Sequence, residues 1–490
     1  MTAIDISNLE PQQLWRNFAN LNAVPRASKK EERVIAFIRA FGEGLGLENL
    51  QDAAGNVVIK KPASLGMKNR ETVVLQAHLD MVHQKNGDTD FDFDTQGIDM
   101  IVDGDWVRAR GTTLGADNGI GVATIMALLA ADDIVHPALE AMFTIDEETG
   151  MTGAKELDPV NFSGSILLNL DTEEDDELTI GCAGGIDTNT NYTYAQVAVD
   201  QEDIAFEITL KGLLGGHSGM DIHKGRGNAN KLMNRLLFEA LKTLPLQVSL
   251  IDGGSLRNAI PRESKAVVVV PAAQKLAFLA FIGVFDAVLK EEYHTVEPAL
   301  NITVKECLLP DMVVDQAVLV KIINVLYAVP NGVFRMSPDI SNLVETSTNL
   351  ARVIIKNGEF ITQSLQRSSV ESTKTDVANA VGAAFENIGC SVSQSGDYPG
   401  WKPNPDSEIL RLMKKLYQQK FDKEPKVEAC HAGLECGILG SHLPGMDMIS
   451  FGPTIHGAHS PDECVQISSV QKFWGYLLAV LKEIPLVKGS

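Results

Sequence analysis

The sequence predicts an α/β protein: a mostly parallel sheet covered by helices on both faces, interrupted by an inserted α+β domain. Three observations lead there. Short apolar strands alternate with helical segments from residue 28 to 183. The texture changes between about 186 and 397, then returns from about 398 onward. The chain has 490 residues, too many for one hydrophobic core and suited to two or three domains.

Each element has its own signature. KKEERVIAFIRAFGEGLG (29–46) mixes polar and apolar positions and ends on glycines, which reads as a helix. NVVIKKP (56–62) is a short strand and ETVVLQAHLD (71–80) a stronger one. GIGVATIMALLAADD (119–133) is a helix, and ALEAMFTIDEE (138–148) and GSILLNLDTEE (164–174) are two further apolar strands. Buried strands separated by helices indicate a sheet that is largely parallel and covered on both sides.

The insertion begins with a strand at 204–213, a helix at 228–244, strands at 246–254 and 265–270, a helix at 273–293 and a strand at 299–309. That β-α-β-β-α-β order is ferredoxin-like. A helix (314–328), a hairpin (346–368), a helix (371–387) and a strand (390–396) enlarge its sheet. A helix at 403–421 resumes the first texture, and VQKFWGYLLAVLKEI (470–484) is the final helix. The first domain is therefore 1–185 with 398–490, and the insertion is 186–397.

Composition narrows the function classes. The apolar fraction is 44% and the charged fraction 22%, ordinary for a globular protein. The net charge of −22 repels phosphate backbones, so no nucleic-acid partner is expected. Six scattered cysteines without a C-x-x-C fit a reducing compartment. The N-terminus lacks the basic and apolar regions of a signal peptide. The most apolar stretch, 265–288, is broken by Pro271, Gln274 and Lys275, so it reads as strand, stop and helix rather than a membrane span. The expected location is the cytoplasm.

The chemistry gathers at strand ends. VVLQAHLDMV (73–82) leaves a buried strand through His78 and Asp80, which point to one side of extended backbone. TTLGADNGIG (112–120) places Asp117 just before a helix. TIDEETG (144–150) puts Asp146, Glu147 and Glu148 after the next strand, and LLNLD (167–171) puts Asp171 after the third. IHGAHSPDE (455–463) adds His456 and His459. Taken singly, each carboxylate reads as a turn or helix cap and each histidine as a satisfied polar group. Together they do not. Parallel strands deliver their carboxyl ends to one edge, and at least five acids on one rim repel each other unless a cation sits among them. Imidazole plus carboxylate without cysteine suits Zn²⁺, Mn²⁺ or Co²⁺. Two metals about 3.5–4 Å apart that share a carboxylate would activate water for hydrolysis, and an acid left over from ligation would be the general base.

At these residues the chain resembles the dizinc aminoacylase/carboxypeptidase-type metallopeptidases, through AHLDMV, GADNGIG, IDEETG, LNLD and GAHSPDE, in that order. The resemblance spans essentially the whole length. GGHSGMDIHKGRGNANK, GGSLRNAIPRE, SLQRSS, DYPGWKPNPDS and HAGLECG are similar to the aminoacyl-histidine dipeptidase branch. The resemblance implies that His78, Asp117, Glu148, Asp171 and His459 hold two divalent ions, zinc by preference with Mn²⁺ or Co²⁺ as alternatives. Asp117 would bridge them. His78 and Asp171 would sit on different ions, with Glu148 joining one and His459 the other. Asp80 would orient His78, Glu147 would be the general base, and a cis peptide would follow the bridging acid at Asp117–Asn118. The inserted domain would be a lid through which two copies form a homodimer, with His217 reaching across to donate to the oxyanion.

Asn258 and Arg367 would bind the substrate carboxylate, since Arg grips a carboxylate in two places. Glu435, in HAGLECG, would receive a free α-amine; its plainer reading is a helix cap. The activity implied is hydrolysis of unblocked dipeptides, Xaa-His including carnosine above all, by a hydroxide held between the metals. An N-acyl amino acid deacylase or a tripeptidase on the same scaffold is the near alternative. A catalytically inactive metal-binding regulator would show a broken ligand set, and an acidic metal store would show repeated acidic clusters.

Overall fold

The computed structural model describes residues 5–487. Within them the chain divides into two compact units. One comprises the chain up to Gly181, Pro403–Ala429 and the chain from Leu434; the other comprises Cys182–Lys402 and Cys430–Gly433.

The first unit is built on an eight-stranded sheet. Leu139–Thr144, Val73–His78, Ile166–Asn169 and Asp447–Ser450 lie side by side and parallel. Nearly every residue of these four strands is buried. The sheet is mixed: Val57–Lys61 pairs antiparallel on one side and Glu48–Gln51 beyond it, and Glu177–Cys182 pairs antiparallel on the other. The parallel strands form the buried centre of the sheet, as expected where both faces are packed. Asp447–Ser450 takes its place beside Ile166–Asn169 although the second unit intervenes in the sequence.

Helix Ala116–Ala130 is buried along almost its whole length, so its residues are apolar all round. It packs with helix Gln12–Asn22, whose Leu14, Trp15, Phe18 and Leu21 join Ile120, Ala123 and Ala127 in one cluster. A small four-stranded sheet joins Met100–Asp103, Trp106–Ala109, Cys464–Gln466 and Ile455–His456. The hairpin loop between its last two segments carries His459.

The second unit holds a nine-stranded sheet. Asn301–Cys307, Asp203–Lys211, Ser264–Pro271 and Gln247–Gly253 form a ferredoxin-like core with its strand order 4-1-3-2. Val344–Lys356, Glu359–Ser368, Gly184–Thr193 and Ser391–Tyr398 extend it. Gly184–Thr193 reads poorly as a strand because its buried side chains include Thr188 and Thr190. These bond across the sheet to Gln366 and Thr362, at 2.6 Å each. Four helices share one hydrophobic core with this sheet through residues such as Leu236, Phe278, Ile322 and Phe385.

Among the described residues, one helix, Ala272–Tyr293, is long and apolar enough to cross a membrane by length and composition. One face of it, with Phe278, Ile282, Phe285 and Leu289, packs into the core of the second unit, and the other leaves Leu276, Leu279, Val284 and Val288 exposed.

Candidate active site

Three neighbouring parallel strands end at one edge, and their exits carry the chemistry. His78 is the last residue of Val73–His78, opposite Thr144 of the adjacent strand. Glu147 and Glu148 follow Thr144, and Asp171 follows Asn169 on the other side. Asp117 lies at a kink where helix Ala116–Ala130 begins, and the Asp117–Asn118 peptide is cis.

Asp117 is the centre of the cluster. Its Oδ1 is 3.1 Å from His78 Nε2, and its Oδ2 is 3.1 Å from His459 Nε2. On the first side, Asp171 Oδ1 lies 3.5 Å from His78 Nε2. On the second, Glu148 Oε2 lies 3.0 Å from His459 Nε2. Two metal-competent groups share Asp117, His78–Asp117–Asp171 and Asp117–Glu148–His459, and His78–Glu147–Glu148 is a further one; in each the ligand atoms lie within 4.8 Å of one another.

The side chains group differently from the resemblance-based pairing, which put His78 and Asp171 on different ions. Their strands are hydrogen-bonded neighbours, so both side chains leave the sheet together. Glu148 comes from the opposite neighbour, beyond a turn where Asp146 has φ of 56°. That turn carries it toward His459.

Asp80 is fully buried behind His78. Its Oδ1 is 3.4 Å from His78 Nδ1 and accepts the Glu147 N–H at 3.0 Å. Its Oδ2 accepts the Glu148 N–H at 3.3 Å and the Ser28 hydroxyl at 2.8 Å. One carboxylate therefore orients the imidazole and also the loop bearing Glu147 and Glu148, a common arrangement behind a metal-ligating histidine.

The electrostatics describe a site short of positive charge. Contacts with Asp117 and Glu148 raise His459 to about 11. Burial disfavours charge on His78, but Asp171, Asp117 and Asp80 outweigh it and raise its pKa well above the ordinary value. Burial also opposes the shift at Asp117, which His459 and His78 hold below the ordinary carboxylate range. Burial lifts Asp171 to about 6. It lifts Glu147 well above the ordinary range, with His78 opposing and Asp171, Glu435 and Glu148 adding to the rise. Histidines that hold protons only to balance the carboxylates around them mark a place where divalent cations would do the same. Glu148 Oε1 is buried without a hydrogen-bond partner, and the donors are imidazole and carboxylate only. The residues fit two divalent ions of the Zn²⁺, Mn²⁺ or Co²⁺ kind.

Beneath the cluster runs a buried polar chain. Gln76 donates to Glu435 Oε2 at 2.7 Å and to Thr144 Oγ1 at 3.0 Å, and Thr144 donates to Glu435 Oε2 at 2.8 Å. Asn169 bonds Gln76 and Ser450 in turn. Glu435 is only 2% exposed, its Oε1 is unpartnered, and burial pushes its carboxyl up to about 8.

The remaining sequence candidates lie in the second unit. His217 Nδ1 accepts the N–H groups of Gly219 and Met220 at 3.2 and 3.1 Å. The neutral ring therefore carries its proton on Nε2. Burial, followed by Arg367, lowers its pKa and keeps it neutral. Asn258 is exposed in the adjoining loop, where its carbonyl accepts the Ser218 N–H at 2.8 Å. Arg367 is buried, donates to the Tyr398 hydroxyl at 2.8 Å and leaves Nε unpartnered. His431 is buried, with Nε2 2.7 Å from Ser347 Oγ. His456 belongs to the first unit, where its ring lies 5.0 Å from that of Trp106.

Sequence reading passed over Arg26, Ser28, Gln76, Asn118 and Glu463. Asn118 donates to the Leu170 carbonyl at 2.7 Å and to Asp171. A polar Gln76 inside a run of buried apolar positions was the one signal available for this group.

Residues 74–483 match peptidase family M20/M25/M40. The chain belongs to that family. It is 43% identical over 486 residues to cytosol non-specific dipeptidase of Escherichia coli (strain K12), covering 98% of this chain and 99% of that protein. It is also similar to the crystal structure of aminoacylhistidine dipeptidase from Vibrio alginolyticus, with a TM-score of 0.95, 43% identity and 99% of each chain covered. An aminopeptidase of Bacillus cereus shares the fold at 15% identity, with a TM-score of 0.56 over 97% of this chain and 99% of that one.

Proposed function

We propose that the protein is a metal-dependent dipeptidase that hydrolyses unblocked dipeptides, preferring Xaa-His substrates such as carnosine. The observation that carries this reading is the Asp117 carboxylate with one oxygen on each of two histidines, beside a Glu147 that neither ion would need. Similarity to two proteins named as dipeptidases supports it.

His78, Asp117 and Asp171 would hold one ion, and Asp117, Glu148 and His459 the other. Zn²⁺ is the preferred occupant. When bound, the pair polarises a carbonyl and acidifies water. Asp80 keeps His78 and the 147–148 backbone in register. Glu147 takes a proton from the water whose oxygen bonds to the peptide carbon, and delivers it to the amine nitrogen as the C–N bond breaks. A carboxyl raised by burial is suited to holding that proton between the two transfers.

His217 presents an Nε2–H to the carbonyl oxygen as negative charge develops there. Arg367 and Asn258 bind the substrate carboxylate. Glu435 receives the α-amine through its unpartnered oxygen, although its burial makes it the least accessible of the assigned groups. The protein works in the cytoplasm as a homodimer formed through the second unit. The cysteines, scattered without a C-x-x-C, support that compartment. Exposed Leu276, Val284 and Val288 on helix Lys275–Tyr293 support that interface.

The test is histidine release from β-Ala-His, Ala-His, N-acetyl-His and Ala-Ala-His, with and without chelator. Release from the two unblocked dipeptides alone, abolished by chelator, is the expected result. Release mainly from N-acetyl-His would replace the reading with a deacylase, and release mainly from Ala-Ala-His with a tripeptidase.

A further inference from the structure

Asp117 can touch both histidines only if three separate loops meet in fixed register. These are the exit of strand Val73–His78, the 114–118 turn, and the 457–463 hairpin loop. Protein groups outside the ligand set hold them there.

Glu463 closes the hairpin loop that carries His459. It is almost fully buried and accepts four consecutive backbone N–H groups. Oε2 takes those of Leu114 and Gly115 at 2.7 and 2.9 Å, and Oε1 takes those of Ala116 and Asp117 at 2.7 and 3.2 Å. Arg26 grips the same turn from the other side. Its Nη2 donates to the Gly115 carbonyl, and its Nη1 donates to the carbonyls of Leu79 and Asp80 at 3.1 Å each. One charged side chain therefore ties the turn to the His459 hairpin, and the other ties it to the His78 strand. The Gly115 peptide lies between them, with its N–H on Glu463 and its C=O on Arg26.

The turn is built to accept this grip. Gly115 has φ of 70°, and a Cβ there would come within 2.5 Å of Arg26 Nη2. A Cβ on Gly119 would come within 2.6 Å of the same atom. A simple helix cap would bond the first N–H groups of a regular helix. Here the backbone at Asp117 is non-helical, with φ of −79° and ψ of 111°, so Glu463 grips a shaped turn.

We propose that Glu463 and Arg26 are positioning residues that hold the Asp117 carboxylate between His78 and His459, so that both ion-binding groups are assembled by protein contacts. This rests on the proposed metal-dependent function, but its test separates the two. Outer groups that orient metal ligands typically contribute about 10- to 100-fold in metal affinity or activity.

The experiment is calorimetric titration of metal-stripped full-length protein with Zn²⁺, for the wild type, Glu463→Gln and Arg26→Lys. It is paired with kcat and KM for Ala-His at saturating metal, and with circular dichroism. The expected result is folded variants that bind at least one ion about tenfold more weakly, with reduced kcat and little change in KM. Folded variants with wild-type affinity for two ions and wild-type kcat would reduce Glu463 and Arg26 to fold stabilisers and overturn the proposal. Should the variants not fold, hydrogen exchange on the metal-stripped wild type decides. Slow exchange of amides 114–117 supports the clamp, and exchange at open-loop rates removes it. Wild-type protein that binds no pair of ions would overturn the proposed function, and the exchange measurement would still judge the clamp.

Discussion

Glu147 should carry the largest share of turnover of any residue that is not a metal ligand. Glu147→Gln keeps the shape and removes the proton acceptor. It should lower kcat for Ala-His by about a hundred- to ten-thousandfold, while metal content by elemental analysis stays at the wild-type value. His217 should behave differently from the ligands. With Nδ1 committed to two backbone amides, only Nε2 can donate. His217→Phe should cost about a hundred- to a thousandfold in kcat with KM nearly unchanged. The proposed ligands were legible in the sequence only jointly, because several acids and histidines delivered to one sheet edge call for a cation among them. Arg26, Ser28 and Glu463 were not. Arg26 and Glu463 bond chiefly backbone groups, which have no signature in a sequence, and Ser28 meets Asp80 only once the chain has folded.

Elements place these residues, and two of them can be tested directly. The 114–118 turn needs glycine at 115, for its positive φ and for the approach of Arg26. Gly115→Ala should destabilise the first unit by about 1–3 kcal/mol, read by denaturant titration, and weaken metal binding at the same time. The short segment Cys430–Gly433 belongs to the second unit, and His431 fastens it to Ser347. Burial, then Arg367, His217 and His223, push the His431 imidazole down to about 3. Its folded pKa is thus below the unfolded value of about 6.5, so the unfolded chain binds the proton first as pH falls. The stability it contributes is present above about pH 6.5 and is lost toward pH 3, by up to about 1.4 kcal/mol per pH unit. His431→Asn should flatten that slope in urea titrations across this range; an unchanged slope would show that His431 does not set it.

At the scale of the whole molecule, every proposed metal ligand lies in the first unit and none in the second. Ligands that bind only the native state raise its stability, by about 2.7 kcal/mol at a hundredfold excess over Kd. Calorimetry should therefore show Zn²⁺ raising the melting transition of the first unit and leaving the other nearly in place. A single transition that shifts as one would mean that the units unfold together.

Local pattern alone determined most elements to within a few residues. The reading at 29–46 is helix Glu32–Gly44, and those at 371–387 and 346–368 are helix Glu371–Glu386 and strands Val344–Lys356 and Glu359–Ser368. It also marked most of the acids and histidines that gather around Asp117, because strand exits are written in neighbouring residues. Tertiary structure decided the rest. It set antiparallel strands beside the parallel centre of the first sheet, and it made a threonine-rich segment an inner strand of the second. It put His78 with Asp171 and Glu148 with His459. It recruited Glu463 and Arg26 to hold Asp117 between them. Each of these depends on which strands become neighbours and on where backbone N–H and C=O groups come to point, and residues far apart in the chain acquire those relations only by folding.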